Sequence, residues 1–157
     1  MADTAATTQD AQIILQLFDL RREPELRKAR RWVESEFWPT KWDEVLAIFS
    51  AYGSQENLYL RMVTGYWEMA ASFAARGALN PVLFHDSNGE MYFMFAKLEP
   101  FLFKMREHFQ TPEIFRSIEQ VVNTTPGGRE RLRKMQANIA NFIEQREKQR
   151  RQSTAAD

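Results

Sequence analysis

Few residues in this 157-residue chain are of types that do chemistry at spacings that would let them do it. Glu68 comes first, because it follows Tyr66 and Trp67 in the most apolar stretch of the sequence. A carboxylate buried there would have a raised pKa and could act as a general acid or base. However, Glu68 also falls on a stripe with Asn57, Arg61, Thr64, Gly65, Ser72 and Arg76, spaced by threes and fours. That spacing traces one polar helix face, so Glu68 is expected at a rim and in a non-catalytic role. His85-Asp86 has the composition of half a metal or catalytic pair, but adjacent side chains on a short helix or turn diverge. His108 lies near an expected helix C-terminus, where a cation is favoured by the dipole. Neither histidine has a second ligand at helical spacing, and there is no cysteine to act as thiolate ligand, nucleophile or disulfide partner. No phosphate-cradling glycine motif occurs; Gly127-Gly128 follows Thr125-Pro126 as a helix start. The expectation is a protein that is not an enzyme and uses no cofactor and no metal.

Two basic runs invite a nucleic-acid reading. Arg27-Lys28-Ala29-Arg30-Arg31 is one, but Glu23 with Arg27 and Arg30 with Glu34 are i,i+4 pairs, as on a solvated helix face. The segment from Arg129 to Arg151 is the other, with eight basic and three acidic residues. Over the whole chain Lys plus Arg and Asp plus Glu both total 21, so no net field draws the protein to nucleic acid. Nucleic-acid binding therefore ranks last among the readings.

The elements that would position these residues are all helices. Residues 54–80 read as one long helix that opens at Ser54, has Trp67 as a core anchor, and ends where Gly77 can turn left-handed. Asn80-Pro81 starts the next segment with a cap and a pre-set first turn. A second very apolar helix runs from Glu90 to Phe109 with Pro100 inside it, which predicts a kink. Asp10 is expected to cap a first helix, Pro24 to start a second, and Thr40 with Asp43 to cap a third. Thr111-Pro112-Glu113 and Thr125-Pro126 would start the last two. No segment alternates with period two, so the fold class is all-α: a single-domain bundle of six to eight helices around the two apolar ones. Residues 1–8 and 152–157 are expected to be disordered, with 9–151 forming the domain. The C-terminal helix, 126–151, is expected to be loosened by its Pro-Gly-Gly start and able to swing out.

No run is apolar enough to cross a membrane and the N-terminus lacks a secretory pattern, so a cytoplasmic location is expected. Leu132, Met135, Ile139 and Phe142 alternate by threes and fours in an otherwise polar helix, the pattern of a two-helix contact: a homodimer seam, or a contact with the Met91–His108 helix of the same chain. The leading expectation is thus a self-associating interaction protein with a further, unidentified protein partner. The alternative is a binder of a small hydrophobic ligand in a pocket lined by Met62, Met69, Met94 and Phe95.

Three pieces resemble a family of uncharacterised, mainly bacterial helical proteins classed as a domain of unknown function. They are residues 13–33, residues 66–84 with Trp67-Glu68, Gly77 and Asn80-Pro81, and residues 95–121 with Arg106 after the apolar helix. The resemblance implies a helical fold and no established activity. It also implies an N-terminal membrane anchor in many members, for which this sequence has no apolar run.

Overall fold

The computed structural model describes residues 5–154. They form α1 (Thr8–Leu20), α2 (Pro24–Ser35), α3 (Trp42–Ser50), α4 (Gln55–Ala75), α5 (Pro81–Ser87) and α6 (Gly89–Leu98). A 3-10 turn (Glu99–Phe101), α7 (Leu102–His108), α8 (Arg116–Thr124) and α9 (Gly128–Thr154) follow. The 3-10 turn joins α6 to α7 at Pro100, the kink the sequence predicts; counted as one bent rod, they leave eight helical rods among the described residues. The fold is all-α. The helix α4 packs against α2, α3 and α8, while α6 lies along α9 and α8 also touches α9. Trp67 and Leu60 on α4, and Met91, Tyr92, Met94, Phe95 and Leu98 on α6, are among the largest fully buried side chains.

The caps account for most helix starts. Thr7, not Asp10, is the first cap: its Oγ1 accepts from the Asp10 amide at 3.1 Å while the Asp10 carboxylate accepts from the Thr7 amide at 2.7 Å. The other Asp10 oxygen accepts from the Asn80 amide at 2.8 Å, so one carboxylate ties the starts of α1 and α5 together. Part of the N-terminal stretch expected to be disordered, residues 5–8, is therefore ordered, and residues 1–4 lie outside the described residues. Glu44 rather than Asp43 closes the start of α3, accepting from the amides of Thr40 and Lys41 at 2.7 and 3.1 Å. Ser54 and Asn80 cap α4 and α5 as the sequence predicts. At the other end, α9 continues through Thr154, so residues 152–154 are helical and 155–157 lie outside the described residues.

One expected helix start fails because contacts from elsewhere in the fold override the local signal. Residues 112–115 form a turn, not helix, and Phe115 is left-handed at φ 54°. The helix α8 begins only at Arg116, and the donors exposed by that late start are satisfied by Glu68. Its two oxygens accept from the amides of Ser117 at 2.8 Å and Ile118 at 3.2 Å. A carboxylate on α4 is thus the N-cap of a helix 49 residues later, and it also meets the positive end of that helix dipole. Glu68→Ala is expected to cost about 1–2 kcal/mol, the upper range for losing a cap, read by urea denaturation. A loss no larger than that of an exposed control such as Glu56→Ala would remove this role.

The junction before α9 is tight, not loose. Gly127 is left-handed at φ 78°, and a Cβ on Gly128 would sit 2.2 Å from the Val122 carbonyl oxygen. Close approach explains the second glycine, and α9 cannot swing on this joint without breaking that contact. Leu132 and Ile139 are buried, Met135 is partly buried against the core, and Phe142 sets its ring 4.4 Å from that of Trp38. Three residues of the expected dimer seam thus pack within their own domain, while Phe142, set against Trp38, stays 43% exposed. Gly128→Ala should lower stability by roughly 1–3 kcal/mol, as overpacking does; an unchanged melting temperature would show that the backbone yields there freely.

Candidate functional site

The most polar crossing in the fold is where α2 meets the start of α6. Arg30 faces Glu90 as a two-pronged pair, with Nε and Nη2 each 2.6 Å from one carboxylate oxygen. Its remaining nitrogen, Nη1, donates to the Arg21 carbonyl at 3.1 Å, which fixes the α1–α2 turn. Arg21 reaches the same carboxylate more loosely, 3.7 Å from Glu90, and lays its guanidinium over the Phe18 ring at 4.0 Å and the Trp67 ring at 5.3 Å. Burial lowers the Arg21 pKa, opposed by Glu90, whereas the hydrogen bonds that Arg30 donates to Glu90 raise that of Arg30. The i,i+4 pairing expected within the Arg27–Arg31 run is replaced by these contacts: Arg30 turns to Glu90 and away from Glu34, and Arg27 donates to the Arg22 carbonyl at 2.8 Å. Glu23 instead caps α2, accepting from the Leu26 amide at 2.7 Å.

Beside this pair lies a cleft of about 410 Å³ between α2, α4, α6 and α9. Val33, Val63 and Met94 form its apolar base, Phe93 and Met135 stand against it, and Arg30, Glu34 and Glu90 supply its charged groups. Glu34 makes no ion pair and no side-chain hydrogen bond among the described residues. Next to the cleft is a residue that sequence reasoning missed. Lys97 is almost fully buried, donates from Nζ to the Val33 carbonyl at 2.6 Å, and lies 3.5 Å above the Trp38 ring and 4.2 Å above the Phe93 ring. Val33 sits in the last turn of α2, where carbonyls lack helical donors and the dipole favours a cation. Burial pushes the Lys97 amine down to about 7, with Glu34 opposing and Arg146 assisting. A single lysine inside an aromatic helix has no sequence signature, because its partners come from α2, the α2–α3 connection and α6.

The residues expected to line a ligand pocket do not come together as one. Met94 and Phe95 are fully buried, Met62 is partly buried, and Met69 is 40% exposed on the outer side of α4; of the four, only Met94 borders the cleft. The polar stripe on α4 is also displaced. Asn57 and Thr64 are buried, Asn57 donating to the carbonyls of Ile48 and Phe49 and Thr64 to that of Leu60, so both are satisfied without water.

His85 and Asp86 diverge, as their adjacency requires. The His85 ring meets the Tyr92 hydroxyl at 2.6 Å, and its backbone carbonyl accepts from Arg131. His108 packs edge-on against Trp42. Within the basic C-terminal segment, Arg129 and Gln136 both reach Glu99. Among the described residues, no group of three or more His, Cys, Asp and Glu is placed to hold a metal, and no helix is long and apolar enough to cross a membrane.

Large apolar side chains are also left open on the first helix. On α1, Leu15 is 68% exposed, Phe18 40% and Leu20 55%, with Asp19 and Arg22 alongside. Ile14 and Leu17 are buried on the inner side of α1 and Ile13 is partly so, while Phe18 stays half open.

A family model described as Domain of unknown function (DUF4760) matches residues 6–125. No curated protein and no solved structure shows a significant match to the chain.

Proposed function

This chain belongs to the family Domain of unknown function (DUF4760), and from that premise we propose that it is a non-enzymatic helical interaction domain that pairs with a second copy of itself. The outer face of α1 is the contact. The observation that carries this reading is the exposure of Leu15, Phe18 and Leu20 together on one short helix whose other side is anchored by Ile14 and Leu17. Large apolar side chains gathered on a surface mark interaction sites, whereas single ones do not.

The patch is also self-complementary. Asp19 and Arg22 stand beside the apolar residues, and neither makes an ion pair among the described residues. In a two-fold pairing of antiparallel α1 helices, each Asp19 can face the other copy's Arg22, so one patch supplies both halves of the contact. The α1 face is preferred to the seam first expected on α9, where Leu132 and Ile139 are buried in the protein's own core.

Light scattering on the wild type and on Leu15→Asp with Phe18→Asp tests the reading. The expected result is a dimer at high micromolar concentration that becomes a monomer in the double variant, with the helical circular dichroism retained. A wild type that stays monomeric at that concentration, or a dimer indifferent to both substitutions, overturns it.

A further inference from the structure

We infer that the cleft between α2, α4, α6 and α9 binds a small apolar ammonium ion, with Glu34 holding its charge and the valine and methionine side chains holding its carbon body. This site is separate from the α1 surface, and the two readings stand or fall independently.

The inference follows from which charged groups at the cleft are still free to act. The lining contains one guanidinium and two carboxylates, from Arg30, Glu34 and Glu90. Arg30 has its Nε and Nη2 on Glu90 and its Nη1 on the Arg21 carbonyl, so its charge is already matched within the protein. Glu90 is likewise held by Arg30, with Arg21 at 3.7 Å behind it. Glu34 remains. It is the one charge in the lining with no direct partner among the described residues, and it is negative. A ligand anion would be repelled by this unmatched carboxylate, whereas a cation would complete the pair. Lys97 is close by, but its amine is fixed on the Val33 carbonyl between Trp38 and Phe93, and it does not line the cleft.

The remaining lining sets the rest of the ligand. Val33, Val63 and Met94 present hydrocarbon at the base, and Phe93 and Met135 flank it. Met135 is only partly buried, so its unbranched thioether can adapt to the ligand. A volume of about 410 Å³ lies at the small end of ligand sites, which run from roughly 300 to 1,000 Å³. A compact amine with a short alkyl or aryl body fits these constraints; a long lipid chain does not.

The test is an NMR titration of the full chain with n-hexylammonium chloride, using hexanoate and hexanol as matched probes. Saturable shifts confined to the amides around residues 30–34, 89–94 and 135 are expected for the ammonium, with hexanoate and hexanol weaker by about five- to tenfold or more. Glu34→Gln keeps the shape of an exposed side chain and should weaken hexylammonium by a similar factor while leaving hexanol unchanged. Met135→Trp should fill the cleft and abolish binding of all three, with melting behaviour confirming that it folds. Equal affinity for hexanoate, indifference to Glu34→Gln, or shifts located elsewhere would overturn the assignment. So would the absence of saturable binding by hexylammonium at concentrations up to about 10 mM, weaker than which a site of this size has no selective value.

Discussion

Trp67→Ala is expected to lower the unfolding free energy by about 3–5 kcal/mol, the range for deleting a fully buried large aromatic side chain. Trp67 has no exposed surface, and its ring lies edge-on to Tyr66 with centroids 4.9 Å apart. Tyr66 in turn donates its hydroxyl to the Leu17 carbonyl at 2.6 Å, which fastens α1 to α4. Arg21 rests over the same indole, so the loss would also reach the Arg21–Glu90–Arg30 group that borders the cleft. The site is not perfect for tryptophan, because the indole Nε1 is buried without a hydrogen-bond partner. Trp67→Phe removes that orphan donor, whose burial costs about 1–3 kcal/mol, and should therefore cost well under half as much as the alanine change. Chemical denaturation followed by far-UV circular dichroism measures both. Equal losses for the two variants would mean that the indole nitrogen is satisfied in solution and that its bond, not ring volume, decides.

Lys97 should make the protein more stable as pH rises above neutrality. In the unfolded chain its amine keeps a proton up to about 10.5, whereas burial lowers that point to about 7 in the folded state. Between these values the unfolded state binds more protons, so deprotonation favours folding. The cost of burying the ammonium is fully present below pH 7 and gone above about 10.5. The slope should approach ~1.4 kcal/mol per pH unit in the middle of that window. The phenols of Tyr66 and Tyr92 are pushed up to about 12 by burial, so they stay neutral throughout it. Lys97→Met keeps the length of the side chain and its place between the rings, and it abolishes the titration. The stability difference between wild type and variant, followed from pH 6 to pH 10, should therefore drift steadily in favour of the wild type. A difference independent of pH would mean that Trp38, Phe93 and the Val33 carbonyl hold the ammonium as well as water does.

The legible part of the fold is the part written in short-range signals. Ser54 caps Asn57, Asn80 caps Leu83, Pro24 and Pro81 open helices, and Pro100 bends the rod that carries it. In each case the partner lies within a few residues along the chain. Polar residues were harder to place, because polarity was read as exposure. Asn57 and Thr64 are buried since their side chains answer nearby carbonyls, which removes the cost of leaving water. The apolar seam on α9 is visible as a periodicity, but periodicity does not say what covers it, and in the fold α6 lies along α9. Residues defined by distant partners left no trace in the spacing. Glu68 is a cap only because α8 arrives from 49 residues away, and Lys97 is caged only because Val33, Trp38 and Phe93 converge on it. The cleft belongs to this class, since no two of its four contributing helices are consecutive in the chain.

The Glu68 cap also has a kinetic side. The first turn of α8 follows a left-handed residue and a turn with no local cap, so the isolated segment lacks what a nine-residue helix needs to nucleate. Its first turn can be completed only once α4 has delivered the carboxylate, which orders the two helices in time and makes α8 a late element of folding. In the native protein the same coupling runs in reverse. The amides of Ser117 and Ile118 exchange with solvent only when α8 parts from α4, so the two helices should open together as one cooperative unit.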